Sequence, residues 1–80
     1  MNRRELAQML QDEGISAGAY AFFGESLDNV YCIEEAEDGW VVYFRERGLK
    51  AWNHLFSSED EACEFLLPII LRDSGARRGS

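Results

Sequence analysis

The residues of this chain that could take part in chemistry are few and lie far apart in the sequence. His54 is the single histidine, and it lies beside Trp52 and Asn53 with no nucleophile or acidic partner at a recognisable spacing. A general base needs a group that orients it or a nucleophile that it activates. The serines fit no nucleophile motif, and the glycines are too widely spaced to cradle a phosphate. We therefore expect no enzymatic activity and no cofactor.

The potential metal ligands also lack a recognisable pattern. Cys32 and Cys63 form no CxxC pair, and each lies in an apolar run, so we expect buried free thiols, with a single disulfide as the alternative. Structural zinc sites have short ligand spacings, which do not occur here. The acidic pairs Glu34-Glu35 and Glu37-Asp38 lack the alternating ligand pattern of a calcium loop. A solvated hairpin tip explains them better than a metal site does.

The charge of the chain is strongly negative and unevenly distributed. The formal net charge of the 80 residues is -7, and the stretch from Asp12 to Glu64 holds thirteen acidic residues against three basic ones. Such a body repels nucleic acid and anionic membranes, and it attracts basic proteins. The alternative interpretation is that the acidity only keeps a small protein soluble. The N-terminus leads into an amphipathic pattern, and no apolar run is long enough to span a bilayer. We expect a cytoplasmic protein.

The pattern of apolar residues predicts one helix at each end of the domain. Asn2 and Glu5 have the spacing of a capping box, so the first helix is expected from Arg3 to about Glu13. Ser58 and Glu61 have the same spacing and open the last helix. Pro68 lies within that helix and is expected to kink it or to end it early. The segment 75–80 has no evident apolar anchor and is expected to be a mobile tail after a single domain of residues 1–74.

Strands are predicted between the two helices. Val30–Ile33 and Trp40–Phe44 are rich in β-branched and aromatic residues, and Asp38-Gly39 between them indicates a hairpin turn. The length of the turn leaves the register open, with either Ile33 or Cys32 opposite Phe44. Arg47-Gly48 predicts a second turn, Leu49–Phe56 a third strand, and Tyr20–Phe23 either a short strand or an irregular apolar anchor. The expected fold is an α+β two-layer sandwich, in which two terminal helices cover one face of a three- or four-stranded antiparallel meander.

The chain has more aromatic residues than a thin core needs, which favours a binding role. Tyrosine, tryptophan and arginine are enriched where protein partners meet. We expect some of the aromatics to lie on the sheet face away from the helices, next to acidic residues. The candidate partner-binding residues are Glu34, Glu35, Glu37, Asp38, Trp40, Tyr43, Arg45, Glu46 and Trp52.

Several short segments of the chain resemble a known family. These are Tyr31–Ile33, Gly39–Phe44, Glu46–Gly48 and Glu59–Cys63, together with Arg4–Leu6, Glu13–Ile15 and Ala19-Tyr20. They resemble the small immunity proteins of bacterial polymorphic-toxin and contact-dependent growth-inhibition systems, over about Arg4 to Phe65. The chain departs from that pattern between Ala21 and Ser26, where Phe22-Phe23 replaces a more polar, glycine-rich stretch.

The resemblance implies a non-enzymatic antitoxin that binds the C-terminal toxin domain of a cognate effector in the cytoplasm. Many such toxins are nucleases with basic clefts, which an acidic inhibitor would either occupy or block from a distance. The partner is then a protein, with no direct contact to nucleic acid or membrane, and a monomer is expected. Two alternatives are a small acidic adaptor unrelated to toxins and a small hydrolase that uses His54.

Overall fold

Each helix begins directly after the N-cap residue that the sequence predicts for it. In the computed structural model, which describes residues 1–77, the elements are α1 (Arg3–Asp12), β1 (Tyr20–Ala21), β2 (Val30–Ala36), β3 (Gly39–Glu46), β4 (Leu49–Phe56) and α2 (Glu59–Arg72). The Asn2 side chain accepts a hydrogen bond from the Glu5 backbone N–H at 2.8 Å, and the Glu5 carboxylate accepts from the Asn2 N–H at 2.9 Å. Ser58 accepts in the same way from the Glu61 N–H at 3.1 Å. These bonds satisfy backbone donors that have no partner within the helix.

Helix α2 continues through Pro68 to Arg72, so the expectation of an early end is wrong. Proline lacks a backbone N–H, so the helix lacks the hydrogen bond that residue 68 would otherwise donate to the carbonyl of Glu64. Pro68 is exposed to solvent. The helix is held instead by its opposite side, where Ala62, Cys63, Leu66 and Ile70 are buried.

The four strands form one sheet in the order β1-β2-β3-β4, and the sheet is mixed. Strands β2, β3 and β4 are antiparallel, as expected, but β1 runs parallel to β2 and pairs Tyr20 with Tyr31. The expected all-antiparallel meander is therefore wrong at this edge. A parallel neighbour requires the chain to return to the starting end of the sheet, which residues 22–29 accomplish.

The register of the β2–β3 hairpin differs from both expected registers. Glu37 and Asp38 form the turn, Ala36 pairs with Gly39, and Phe44 lies opposite Tyr31. Gly39 therefore belongs to the strand and not to the turn. By contrast, the predicted turn at Arg47-Gly48 is confirmed. Both of its residues have positive φ angles, +54° and +77°, as a tight hairpin with a right-handed twist requires.

The main core lies between the two helices and one face of the sheet. It contains Leu6 and Leu10 from α1, Ile33 and Val42 from the sheet, and Leu66 from α2. The other face, which we call the open face, carries a smaller cluster of Ala21, Val30, Cys32 and Tyr43. Both cysteines are free and buried, as expected, and burial raises the pKa of the Cys63 thiol to about 11. A thiol with so high a pKa is a poor nucleophile at neutral pH.

Residues 75–77, expected to belong to a mobile tail, are joined to the rest of the domain. Ala76 is 5% exposed and packs in the main core, although the sequence offers no evident anchor there. Its carbonyl accepts a hydrogen bond from the Ser16 N–H at 2.8 Å, and Arg77 forms a β-bridge with Ile15. The remainder of the expected tail, residues 78–80, lies outside the described residues.

Candidate functional site

Two acidic segments that are separate in the sequence meet at one end of the sheet. Strand β4 returns the chain to the end at which the β2–β3 turn lies, and there Phe56 pairs with Trp40. Helix α2 then begins at Ser58. The carboxylates of the turn and of the first turns of α2 therefore share this end. We call them the acidic pole: Glu35, Glu37, Asp38, Glu59, Asp60, Glu61 and Glu64.

Some carboxylates of the acidic pole are engaged within the protein. Arg3 donates from Nε to Glu59 at 3.1 Å, and the amino group of Met1 donates to Asp60. Glu61 accepts from the hydroxyl groups of Ser57 and Ser58. All three lie in the first turn of α2, where the positive end of the helix dipole also stabilises them.

The other carboxylates of the pole point to solvent. Glu35, Glu37, Asp38 and Glu64 are exposed, and within residues 1–77 none of them forms an ion pair or a side-chain hydrogen bond. Exposed negative charge gathered at one end of a molecule attracts a cationic partner. The pole thus combines two carboxylates that are ion-paired within the protein with four exposed ones that are not.

Arg3 contacts several residues at this end of the molecule. Its guanidinium lies 4.9 Å from the Trp40 ring centroid and 5.1 Å from that of Phe23, and it donates to the Phe22 carbonyl at 2.9 Å. These are cation–π distances. Trp40, a candidate partner-binding residue, is therefore half-buried beneath Arg3 on the helix side of the sheet, behind the exposed carboxylates.

A second group of predicted residues lies on the open face around Tyr43. The Tyr43 hydroxyl donates to Glu34 at 2.7 Å and accepts from Arg45 at 3.3 Å. The ammonium of Lys50 lies 4.7 Å from the Tyr43 ring centroid. Burial and the bond to Glu34 raise the pKa of Tyr43 above its usual value. With 1% of its surface exposed, Tyr43 supports the open face and offers almost no area to a partner.

The nine candidate residues thus fall into separate places. Glu35, Glu37 and Asp38 are at the pole with Trp40 behind them, and Glu34, Tyr43 and Arg45 lie on the open face. Trp52 packs on the helix side, and Glu46 is at the far end beside the second turn. Among the tyrosines and tryptophans, which were expected in part on the face away from the helices, Tyr43 lies on the open face, whereas Tyr20, Tyr31, Trp40 and Trp52 pack against the main core.

The acidic residues of α2 were missed as site residues. Acidic residues in the first turn of a helix, here Glu59, Asp60 and Glu61, are common because they stabilise the helix dipole, so by themselves they do not indicate a site, and Glu64 lies one turn further on. The sequence does contain a signal for their position. Strand β4 ends just before α2, so the start of α2 must lie at the end of the sheet where β4 ends. That strand pairs with β3, whose first residues adjoin the acidic turn.

His54 lies on the helix side of the edge strand β4, exposed to solvent. Its ring is 5.8 Å from that of Trp52 and 5.1 Å from that of Phe65, measured between centroids. In the part of the chain that the structure describes, no group of three or more His, Cys, Asp and Glu residues could hold a metal ion.

A hydrogen bond at the far end of the molecule joins the sheet to the end of α2. The Tyr31 hydroxyl donates to Asp73 Oδ2 at 2.7 Å. Burial and this bond raise the pKa of Tyr31 from 10.0 to about 12. The folded state therefore holds this proton more tightly than the unfolded state does. The resulting contribution to stability is complete below about pH 10 and is lost as the pH rises toward 12.

Tyr31→Phe tests this linkage. We expect the free energy of unfolding of the wild type to fall more steeply than that of Tyr31→Phe between about pH 10 and pH 12, because the variant has no proton to lose there. Urea denaturation followed by tryptophan fluorescence at several alkaline pH values measures the difference. Tyr20→Phe is the control, since the Tyr20 hydroxyl makes only a longer bond of 3.4 Å to a backbone carbonyl. Equal slopes for the wild type and Tyr31→Phe would contradict the assignment.

Comparisons with known proteins find no relative of this chain. No protein-family model matches the chain, and no curated protein or solved structure matches it either. Within residues 1–77, no helix has the length and apolar character needed to cross a membrane.

Proposed function

We propose that this protein is an immunity protein, which binds a toxin domain and neutralises it by protein–protein contact through the acidic pole. One observation carries the proposal. Two separate segments bring seven carboxylates to one end of the domain, and four of them are exposed without an ion pair or side-chain hydrogen bond within residues 1–77. A surface of this kind is complementary to a basic protein surface.

The charge of the pole favours a basic nuclease as the toxin. A nuclease must bind a polyanion, so its substrate cleft carries positive charge. The same positive charge attracts the acidic pole and speeds the encounter of the two proteins. Nucleic acid itself would be repelled. The inhibitor would therefore compete with the nucleic-acid substrate for the positively charged cleft of the nuclease.

The shape of the pole suits insertion at a cleft. The Glu37-Asp38 turn is the outermost part of the β2–β3 hairpin, and Arg3 and Trp40 support the pole from behind. A backbone fixed in a hairpin loses little conformational entropy on binding, which favours affinity. Direct occupation of the toxin's cleft is thus the preferred mode of inhibition, and binding beside the cleft is the alternative.

The experiment that tests the proposal is capture of the partner from the native organism. Tagged protein is used as bait at low and at moderate salt, and the captured proteins are identified by mass spectrometry. We expect one dominant partner, a large effector or its basic C-terminal fragment, whose recovery falls as salt rises because exposed charges are screened. Capture of a housekeeping complex would favour the adaptor alternative, and capture of no specific protein would overturn the proposal.

A further inference from the structure

A cleft of about 330 Å³ opens at the end of the molecule opposite the acidic pole. Its walls come from the start of β2 and the loop before it, the end of β3, the segment after α1 and the residues that follow α2. The principal lining residues are Ser16, Ala19, Asn29, Tyr31, Phe44 and Asp73. Its volume lies within the range of small-ligand sites, about 300–1,000 Å³.

The carboxylate of Asp73 is held in a fixed position in this cleft. Tyr31 donates to Oδ2 at 2.7 Å, and the Gly75 N–H donates to Oδ1 at 2.9 Å. Each carboxylate oxygen can accept a further hydrogen bond. Within residues 1–77, Asp73 forms no ion pair with a cationic side chain. The cleft thus presents a negative charge that is oriented and available.

Aromatic rings lie next to this carboxylate. The rings of Tyr31 and Phe44 pack edge to face, with their centroids 4.9 Å apart, and both line the cleft. A guanidinium group is planar, weakly hydrated and able to stack on aromatic rings while it donates two parallel hydrogen bonds to a carboxylate. An ammonium is more strongly hydrated and cannot make that paired contact.

We propose that this cleft binds the guanidinium group of an arginine side chain on a protein partner. The inference is independent of the proposed function, because it uses none of the residues of the acidic pole. An arginine within a polypeptide fits better than free arginine does, since among residues 1–77 no cationic side chain lines the cleft to receive a free α-carboxylate.

The test is a titration with Nα-acetyl-arginine amide, followed by ¹H–¹⁵N NMR. We expect shifts of the Gly18, Asn29 and Gly75 amide signals, with a dissociation constant on the order of 1–10 mM, typical of so small a ligand. The citrulline analogue is the matched neutral probe, and it should bind at least about 10-fold more weakly because it forms no charge-assisted bond. Asp73→Asn, which keeps an acceptor oxygen, should weaken arginine binding by a similar factor.

Several results would overturn the assignment. Equal binding of the citrulline and arginine probes to the wild type would do so without any variant, and therefore even if Asp73→Asn fails to fold. Unchanged affinity in a folded Asp73→Asn protein would also contradict it. Shifts at the Glu37 and Asp38 amides in place of the cleft would indicate general charge attraction. Free arginine that binds about 10-fold more tightly than the blocked probe would point to a metabolite and not to a protein partner.

Discussion

Replacing Gly39 by alanine is expected to lower the free energy of unfolding by about 3 kcal/mol or more, a large loss for a single methyl group. Gly39 has a φ angle of +144°, a conformation that side chains of L-residues rarely adopt. A Cβ atom at this position would lie 2.1 Å from the backbone carbonyl oxygen of Phe56. That oxygen cannot move without shifting β4, so the strain of the backbone and the steric overlap add together.

Gly24→Ala is the matched control for this prediction. Gly24 also has a positive φ angle, +84°, but a Cβ atom built there meets nothing within 4 Å. Its replacement by alanine should therefore lower the free energy of unfolding only by the strain of the positive φ angle, about 1–2 kcal/mol. Urea denaturation of both variants measures the difference. If the two variants lost equal stability, the close approach of Phe56 to Gly39 would not be a feature of the folded protein.

The consequences of Gly39→Ala would extend to the acidic pole. Trp40 pairs with Phe56, and α2 begins directly after Ser58. A shift of β4 at Phe56 would therefore displace the start of α2 relative to the Glu37-Asp38 turn. A folded Gly39→Ala protein should bind its partner more weakly even though it has lost no charge.

The helix caps and the second turn could be predicted because the interactions that form them are local. The capping box of Asn2 and Glu5 and the cap of Ser58 span only three residues. The turn at Arg47-Gly48 depends on the φ angles of two neighbouring residues. Local chemistry of this kind can be identified in the sequence without knowledge of the rest of the fold.

The register of the first hairpin could not be predicted, because it depends on a distant contact. Asp38-Gly39 is a common turn pair, but here Gly39 is needed in the strand, where it passes close to Phe56. A shift of register by one residue, such as the difference between the two expected registers, moves side chains from one face of a sheet to the other. The face on which each aromatic lies could therefore not be predicted from the sequence. The structure places Trp40 and Trp52 against the main core.

The parallel strand and the C-terminal anchor gave too weak a signal. Strand β1 has two residues, too few to show any alternation. Ala76 is a single small apolar residue among polar ones, yet it is buried in the main core. Only one part of the acidic pole could be predicted from the sequence. Its turn residues form a visible run, whereas the residues of α2 join them only through the return of β4.

Neutralising three carboxylates of the acidic pole is expected to weaken partner binding by about 10-fold or more, since exposed ion pairs contribute about 0.2–1 kcal/mol each and a tenfold change corresponds to about 1.4 kcal/mol. The variant combines Glu37→Gln, Asp38→Asn and Glu64→Gln. These side chains are exposed and form no side-chain hydrogen bond within residues 1–77, so stability should change little. Isothermal titration calorimetry with the captured partner at several salt concentrations measures the affinity.

The control variant removes the same charges from the other end of the molecule. It combines Asp12→Asn, Glu13→Gln and Glu46→Gln, which end α1 and β3 away from the pole. The two variants have equal net charge and differ in where the charge is lost. We expect the control to bind nearly as tightly as the wild type, and the pole variant to show the weaker salt dependence. Equal losses in both would mean that net charge, and not the pole, determines binding.

The central claim is that this protein protects cells by neutralising a bound toxin domain, and growth is its most direct measurement. The toxin domain of the captured partner is produced from an inducible promoter in a test strain, with and without this protein. The account predicts that the toxin domain alone arrests growth and that wild-type protein restores it, while the pole variant restores it less well than the control variant. Growth arrest that is equally severe with and without the wild-type protein, although the two proteins bind each other, would contradict the account.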